Sequence, residues 1–208
     1  YTVGVTTNGT AGSAGAYTRI TVASGASTLY YYCAVHSGMG GQANTNSTFG
    51  STNLKGNILS TVSANTTAGF SVVRWQFKNS ADNLVGHGLS SAPEMMILKS
   101  RTTAYNWDVY HTGLSNPATK RILLNSTGGE IAGFFDTNPT STVFEYNTSG
   151  ASNNDDMITY CFHSVEAFSK VGSFIGNGST NGTFVHTGFK PSWIMLKESG
   201  NTRNWVIS

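Results

Sequence analysis

Three residues near the N-terminus have the types and the spacing of metal ligands. Cys33, His36 and Met39 follow a strand-like aromatic segment in a Cys-x2-His-x2-Met pattern. A thiolate, an imidazole and a weak axial thioether are the donors that hold copper in a trigonal site. The alternative is that the loop is structural, with Cys33 buried as a small apolar residue. Both interpretations remain open from the residues alone.

The segment Leu29–Gly40, which holds this pattern, resembles the copper loop of cupredoxins, particularly the short-loop amicyanin type. The resemblance implies the C-terminal part of a cupredoxin-like β domain, with Cys33, His36 and Met39 as three of four copper ligands. The family's other histidine lies earlier in its chain, but no histidine precedes His36 in this sequence. We therefore expect no cofactor, and copper only if an upstream histidine exists.

Two Asn-Trp pairs, Asn106-Trp107 and Asn204-Trp205, are candidates for ligand binding. An exposed tryptophan can stack on a sugar or on another protein, while asparagine bonds to polar groups beside it. The alternative is that each tryptophan fills the core beneath its own hairpin. The sequence predicts a speculative glycan-binding or interface role for all four residues.

The two Asn-Trp pairs belong to an internal repeat with a period of 98 residues. Pro-Glu-Met-Met-Ile-Leu-Lys begins at Pro93, and Pro-Ser-Trp-Ile-Met-Leu-Lys begins at Pro191. Each copy predicts a hairpin: a buried strand that ends in lysine, a polar turn, and a strand opened by Asn-Trp. The period is too long for a solenoid and suits duplicated β units. Since the second copy stops at Ser208, we expect a fragment of a longer protein, cut at both ends.

Strands dominate the elements that must position these residues, because apolar side chains alternate along several segments. The predicted strands are Tyr17–Val22, Leu29–Val35, Phe70–Phe77, Met95–Leu98 and Ile158–Phe162. No segment of 12 or more residues has a convincing helical period. The best short helical candidates are Ala118–Leu124 and Val165–Lys170.

Composition supports an all-β, extracellular type of chain. Charged residues make up 11% of it, against about 25% in an ordinary soluble domain, and aromatic residues make up 12%. The net charge of +2 gives no field that would gather nucleic acid or an anionic membrane. No apolar run approaches the roughly 18 residues that a membrane-spanning helix needs. We expect neither nucleic-acid binding nor membrane insertion.

Little in the sequence favours catalysis. The chain has ten Asp and Glu residues in total, which leaves few candidates for a catalytic carboxylate pair. We predict that the chain is not an enzyme. Asp155-Asp156 is interpreted as a turn, with a calcium site as the alternative. Cys33 and Cys161 are expected to be two free, buried thiols, with a long-range disulfide as the alternative.

A change in amino-acid composition divides the chain. Residues 40–57 are rich in Gly, Ser, Thr and Asn and are typical of a linker or long loop. We place a partial cupredoxin-like β segment with this linker at 1–50. A second domain, with the 98-residue repeat and incomplete at its C-terminus, covers 51–208.

Several segments after residue 51 carry a second resemblance. They are Ser63–Val73, Gly86–Leu89, Ala92–Met95, Asn106-Trp107, Val109–His111, Tyr160–Glu166, Gly176–Gly178, Val185, Thr187–Phe189 and Pro191. Together they resemble a domain of virion proteins of marine tailed bacteriophages, in which a segment like residues 30–41 precedes the domain. The resemblance implies an antiparallel β-sandwich or jelly-roll-like domain with repeated hairpin units.

The resemblance also implies a function and a location. We expect a bacteriophage virion structural protein at the virion surface: a tail fibre, a host-attachment appendage or a capsid-surface decoration protein. Its partners would be other virion proteins, copies of itself and host-surface glycans. The alternatives are a secreted copper-binding cupredoxin-like protein and an extracellular glycan-binding module.

Overall fold

The chain folds as two compact units, Tyr1–Phe49 and Gly50–Ser208. The computed structural model describes residues 4–10, 12–22, 29–33, 37–43, 50–80, 82–147 and 149–208. The boundary at residue 50 falls inside the segment 40–57 that composition marks as a linker or long loop. That prediction is wrong for Gly40–Ala43 and Ser51–Asn53, which are strands. No helix in these ranges is long and apolar enough to cross a membrane.

The first unit consists of two separate antiparallel ribbons in its described part. Their strands are β1 (Val5–Asn8), β2 (Tyr17–Ile20), β3 (Leu29–Tyr32) and β4 (Gly40–Ala43). β1 pairs with β2, and β3 pairs with β4. The predicted strands are confirmed over β2 and β3, while Ala34 and Val35 lie outside the described residues. No side chain described in this unit is fully buried, so the cupredoxin-like core stays a prediction.

The second unit contains twelve strands among its described residues. They are β5 (Ser51–Asn53), β6 (Ser60–Asn65), β7 (Phe70–Gln76), β8 (Asn83–Gly86), β9 (Met95–Ser100), β10 (Asp108–His111), β11 (Lys120–Leu123), β12 (Ile131–Ala132), β13 (Val143–Tyr146), β14 (Asp156–Phe162), β15 (Met195–Leu196) and β16 (Val206–Ile207).

This second unit is an antiparallel β-sandwich, which confirms the predicted fold class. Its large sheet has eight strands in the order β12-β11-β10-β9-β14-β7-β6-β5, and every neighbouring pair is antiparallel. β8 and β13 pair with each other and form the second, smaller layer. Gly56 and Ile58 bridge to Val85 of β8, which widens that layer.

Alternation along the central strands aims one face of the large sheet at the second layer. In β7 and just beyond it, Ser71, Val73, Trp75 and Phe77 are buried, and the residues between them are more exposed. The period-two pattern over Phe70–Phe77 predicts this alternation, and the structure shows which of the two faces is buried. The fifteen fully buried members of the core are Ile58, Val62, Val73, Trp75, Phe77, Val85, Leu89, Met96, Leu98, Tyr110, Phe135, Phe144, Tyr146, Met157 and Cys161.

An aromatic cluster around Tyr146 joins the two layers. The ring of Tyr146 meets Trp75, Phe77 and Phe135 at centroid distances of 5.9, 6.2 and 5.6 Å, each in an edge-on arrangement. Edge-on pairs at this distance add about 0.5–1.5 kcal/mol beyond the burial of their area. The Trp75 indole also donates to Thr159 Oγ1 at 2.9 Å, which ties β7 to β14.

The reverse face of the large sheet is apolar where β9, β10 and β11 meet. Val109, Leu114 and Ile122 form a second buried cluster there. Four partly buried residues pack against it: Met95, Ile97, Leu124 and Trp205. The strands of this corner are therefore covered on both faces, as the apolar run Met95–Leu98 predicts.

Both short helical candidates are wrong. In Ala118–Leu124 the structure has β11, because Val109 of β10 pairs with Ile122 and both side chains are buried in the reverse-face cluster. In Val165–Lys170 a tight turn brings Val165 and Ser169 together as a β-bridge. Tertiary pairing outweighs the weak local helical pattern in the first case.

The two cysteines form no disulfide, as expected. Cys161 lies in the sandwich core, where burial raises the pKa of its thiol to about 12 although a hydrogen bond with Ser71 opposes the shift. Cys33 is only partly buried in the first unit, so the expectation that both thiols are buried is wrong for this residue. Cys161 is therefore a packing residue rather than a reactive thiol.

One polar network is enclosed in the sandwich. Tyr146 donates its hydroxyl proton to Asp108 Oδ2 at 2.6 Å, and Arg121 Nε lies 3.1 Å from Asp108 Oδ1. The Arg121 guanidinium also stacks 3.7 Å from the ring centre of Phe134. Burial raises the pKa of Asp108, while the hydrogen bond from Tyr146 and the charge of Arg121 oppose that shift. The carboxylate therefore depends on both partners.

Replacing Tyr146 by phenylalanine tests this dependence. We expect Tyr146→Phe to lower the free energy of unfolding by about 1–3 kcal/mol, because a buried carboxylate loses its hydroxyl donor. The matched control is Tyr105→Phe, whose hydroxyl bonds to Ser152 Oγ at an exposed position and should change stability by less than about 0.5 kcal/mol. Urea unfolding of both variants measures the difference, and equal losses would contradict the proposed role of the network.

Candidate functional site

The 98-residue repeat predicted from sequence is present in the structure as two hairpins with the same register. In the first, Ile97 pairs with Val109 and Leu98 with Asp108. In the second, Met195 pairs with Ile207 and Leu196 with Val206, and each number is larger by 98. The two hairpins differ in their surroundings, because β9–β10 lies inside the large sheet and β15–β16 is a separate ribbon.

The second hairpin is held to the reverse face of the large sheet by Trp205. The indole of Trp205 donates to the carbonyl of Leu123 at 3.0 Å, and its ring packs on the reverse-face cluster. Two backbone hydrogen bonds hold the hairpin loop: Arg203 N–H to the carbonyl of Thr127, and Glu130 N–H to the carbonyl of Ser199. Trp205 is thus an anchor between the ribbon and the sheet.

The other Asn-Trp residues have different roles. Trp107 is half-buried, and its backbone N–H donates to Asn125 Oδ1, whose amide in turn donates to Asn106 Oδ1. Asn204 is exposed. The two Asn-Trp pairs do not come together as one site, and their glycan-binding role remains a prediction.

The second hairpin carries apolar side chains that solvent reaches. They are Trp193, Ile194, Leu196, Val206 and Ile207, which we call the C-terminal apolar residues. Ile194, Leu196 and Val206 share one side of the ribbon, because Leu196 pairs with Val206 and side chains alternate along a strand. Clustered apolar groups at a surface mark sites where a protein meets another surface. These residues form the candidate functional site.

The metal-ligand pattern is described only in part, since His36 lies outside the described residues. The backbone N–H of Cys33 donates to the carbonyl of Met39 at 2.7 Å, which closes the loop between them. Cys33 is partly buried, whereas the Met39 side chain is mostly exposed. A thiolate and a thioether alone do not complete a copper site, so the residues described do not establish a fit and copper remains a prediction.

An exposed aromatic strand was not singled out from the sequence as a binding surface. Tyr30 and Tyr32 of β3 point to the same side of their ribbon, since side chains two apart share a face, and both are largely exposed. Opposite them β4 offers Gln42 and Gly40, so the ring of Tyr32 has no side chain directly across from it. The alternation of this segment predicts a strand, but it does not say which side of that strand is exposed.

Three carboxylates, Asp82, Asp136 and Glu145, also come together, with oxygen atoms within 4.8 Å of one another. Glu145 is buried and accepts from Thr137 Oγ1 at 2.6 Å, while Asp136 accepts from the amide of Asn147 at 3.2 Å. Glu145 and Asp136 thus each have a hydrogen-bond partner within the protein. Because these residues are spread from position 82 to position 145, no local sequence motif predicts the group.

His87 and Asp155 have structural roles. His87 is fully buried: its Nδ1 accepts from the backbone N–H of Leu89 at 3.1 Å, and its Nε2 lies 3.2 Å from the carbonyl of Thr140. Burial lowers the pKa of His87, so the neutral ring is favoured. Asp155 accepts from the hydroxyls of Thr102 and Thr103 at 2.8 and 2.7 Å. Its backbone N–H donates to the carbonyl of Ser152, which closes a turn, whereas Asp156 already begins β14, so the turn interpretation is wrong for Asp156.

Truncating Trp205 tests its role as the anchor. We expect Trp205→Ala to lower the free energy of unfolding by roughly 1–3 kcal/mol, because it removes a hydrogen bond and partly buried ring contacts. Hydrogen exchange of the 193–208 backbone should accelerate as the hairpin separates from the sheet. Trp193→Ala, at an exposed position of the same hairpin, is the matched control, and an equal effect of both variants would contradict the anchor.

Comparison with known proteins gives one match. No curated protein and no solved structure matches the chain. Residues 42–208, well over half of the chain, match the family described as domain of unknown function DUF7483. The matched range contains the whole sandwich, the polar network and both hairpins of the repeat. The chain therefore belongs to the DUF7483 family.

Proposed function

We propose that this chain is a structural protein of a bacteriophage virion, displayed at the particle surface as a tail fibre, a host-attachment appendage or a capsid decoration. Support comes first from the sequence, whose segments from Ser63 to Pro191 resemble those of virion proteins of marine tailed phages. A weakly charged surface rich in small polar residues suits a durable part that packs against other copies.

One structural observation carries the proposal: the C-terminal apolar residues are exposed on the second hairpin. Monomeric soluble proteins seldom keep large apolar side chains clustered in solvent. A component built to assemble has a use for such residues, because another subunit can cover them.

The proposal is tested on the particle itself. Antibodies raised against the 208-residue chain should label purified virions of the phage that encodes it, and mass spectrometry should find its peptides there. Copy number distinguishes the subtypes, because a tail fibre is present in few copies and a decoration protein in as many copies as its capsid sites. Absence of the peptides from purified, infectious particles would contradict the proposal.

Contact with host-surface glycans is the second candidate role, and Tyr30 and Tyr32 are the observation that favours it. Two exposed aromatic rings on one side of a ribbon can each stack on a sugar ring, weakly for one copy and more strongly for many copies on a particle.

The double variant Tyr30→Ala/Tyr32→Ala tests this role. We expect it to lose binding to polysaccharide purified from the host cell envelope, measured with multivalent protein on a surface. Tyr17→Ala, an exposed tyrosine on the other ribbon, is the control and should retain binding. Equal binding by the double variant and the unchanged chain would exclude this role for the two tyrosines.

A further inference from the structure

A fully buried histidine joins the two strands of the second layer. His87 directly follows β8, and its side chain is 0% exposed. Its backbone N–H donates to the carbonyl of Thr142 at 3.3 Å, and its ring Nε2 lies 3.2 Å from the carbonyl of Thr140. Both carbonyls belong to the loop that precedes β13. His87 therefore holds the end of β8 to the start of β13.

The hydrogen bonds of the His87 ring fix the position of its proton. Leu89 N–H donates to Nδ1 at 3.1 Å, and a backbone N–H can act only as a donor, so Nδ1 carries a lone pair. The proton of the neutral ring is then on Nε2, which donates it to the carbonyl of Thr140. Both ring nitrogens are satisfied only while the ring is neutral. A second proton, on Nδ1, would face the Leu89 N–H and break that bond.

The elements around the ring supply no negative charge that would stabilise a second proton. In the described part of the chain, no carboxylate lies within ion-pair distance of His87. β6, which packs against the turn at Gly88, has no ionisable side chain, and neither does the loop 140–142. The residue after β14 is a second histidine, His163, and its charge acts against a charge on His87.

The acidic residues on neighbouring elements are engaged elsewhere. Glu145 of β13 pairs with Leu84, and side chains alternate along a strand, so Glu145 lies on the opposite side of the layer from Val85 and His87. Glu94, which precedes β9, accepts from the backbone N–H of Ser164. A proton on Nδ1 of His87 would therefore be buried as an uncompensated charge.

The turn 87–89 has no room to adjust around a charged ring. Gly88 has a φ of 72°, and a Cβ at this position would lie 2.6 Å from Val62 Cγ1. Leu89 is 6% exposed and belongs to the sandwich core. Because the donor and the acceptor of the ring bond are both held by packing, a charged ring requires that the turn leave its position.

Acid favours the open position of this turn. Burial lowers the pKa of His87 from its ordinary value of 6.5, the hydrogen bond with Thr140 opposes that shift, and His163 adds to it. As the pH falls below about 6.5, an exposed His87 therefore takes up a proton before the buried one does. The stability of the closed turn is complete above that pH and is lost progressively below it.

We propose that His87 is a pH switch: a proton on Nδ1 breaks the bond from Leu89, and the turn 87–89 separates from the loop 140–142. Opening starts at this end of the layer because β8 and β13 are four-residue strands whose last pair is Gly86 and Val143. Release of Leu89 uncovers apolar side chains of the core at acidic pH, while the large sheet stays paired. The switch is a property of the sandwich and does not rest on the virion role.

His87→Asn tests the switch, because the amide does not titrate and its oxygen can replace Nδ1 as the acceptor for Leu89 N–H. Hydrogen exchange of the Leu89 amide is measured at about pH 7.5 and pH 5.5 and corrected for the intrinsic effect of pH on exchange. We expect the opening constant of the unchanged chain to rise by about threefold to tenfold at the lower pH, since one proton changes it by up to tenfold per pH unit. A rise below threefold, or an equal rise in His87→Asn, would overturn the switch.

His186→Asn, at an exposed position, is the matched control and should show the same acid opening at Leu89 as the unchanged chain. The amide of Val73, in the large sheet, should keep its protection at pH 5.5, and acceleration equal to that of Leu89 would indicate global unfolding and overturn the switch. If His87→Asn does not fold, proton NMR of the unchanged chain decides. The His87 ring and the Leu89 amide should titrate together below pH 6.5, and independent titration would contradict the proposal.

Discussion

The corner of the large sheet where β9, β10 and β11 meet is apolar on both faces, and this constraint organises the rest of the second unit. Met96 and Leu98 face the second layer, while Ile97 and Val109 face the opposite side. Burial of both apolar faces is favourable, and it requires that other residues pack on each face. The aromatic rings around Tyr146 cover the inner side, and the anchor residue Trp205 brings the C-terminal segment onto the outer side. The position of β15–β16 follows from that second requirement.

The same corner contains the buried Asp108–Arg121–Tyr146 network. Enclosing an ion pair costs desolvation energy that its attraction only partly offsets, so such a network more often fixes one arrangement of strands than adds stability. Here Asp108 lies on β10, Arg121 on β11 and Tyr146 on β13. A slip of β11 along β10 would separate Arg121 from Asp108 and leave a buried charge. We infer that the network fixes the register of the corner to which the second hairpin is anchored.

Local patterns in the sequence predicted five strand segments and the two repeat hairpins, but not the other strands or the arrangement of the sheet. The repeat gave the β9–β10 hairpin and its partial copy, because a hairpin needs only neighbouring residues. β14 lies between β7 and β9 and brings Thr159 to Trp75. Hydrophobic periodicity describes neighbouring residues, so it cannot predict a contact between residues so far apart in sequence. The helical candidate at Ala118–Leu124 failed for a related reason, since pairing with β10 decides its conformation. The sequence could not predict that Trp205 is an anchor or that Tyr30 and Tyr32 are exposed, because composition does not show which side chains are buried.

The central claim is that Trp205 holds the second hairpin of this DUF7483 chain against the apolar reverse face of the corner. A crystal structure of the 208-residue chain tests this most directly. The account predicts the Trp205 ring on the cluster of Val109, Leu114 and Ile122, with its indole N–H on the carbonyl of Leu123. A structure in which β15–β16 is separate from the sheet and solvent reaches that cluster would contradict it.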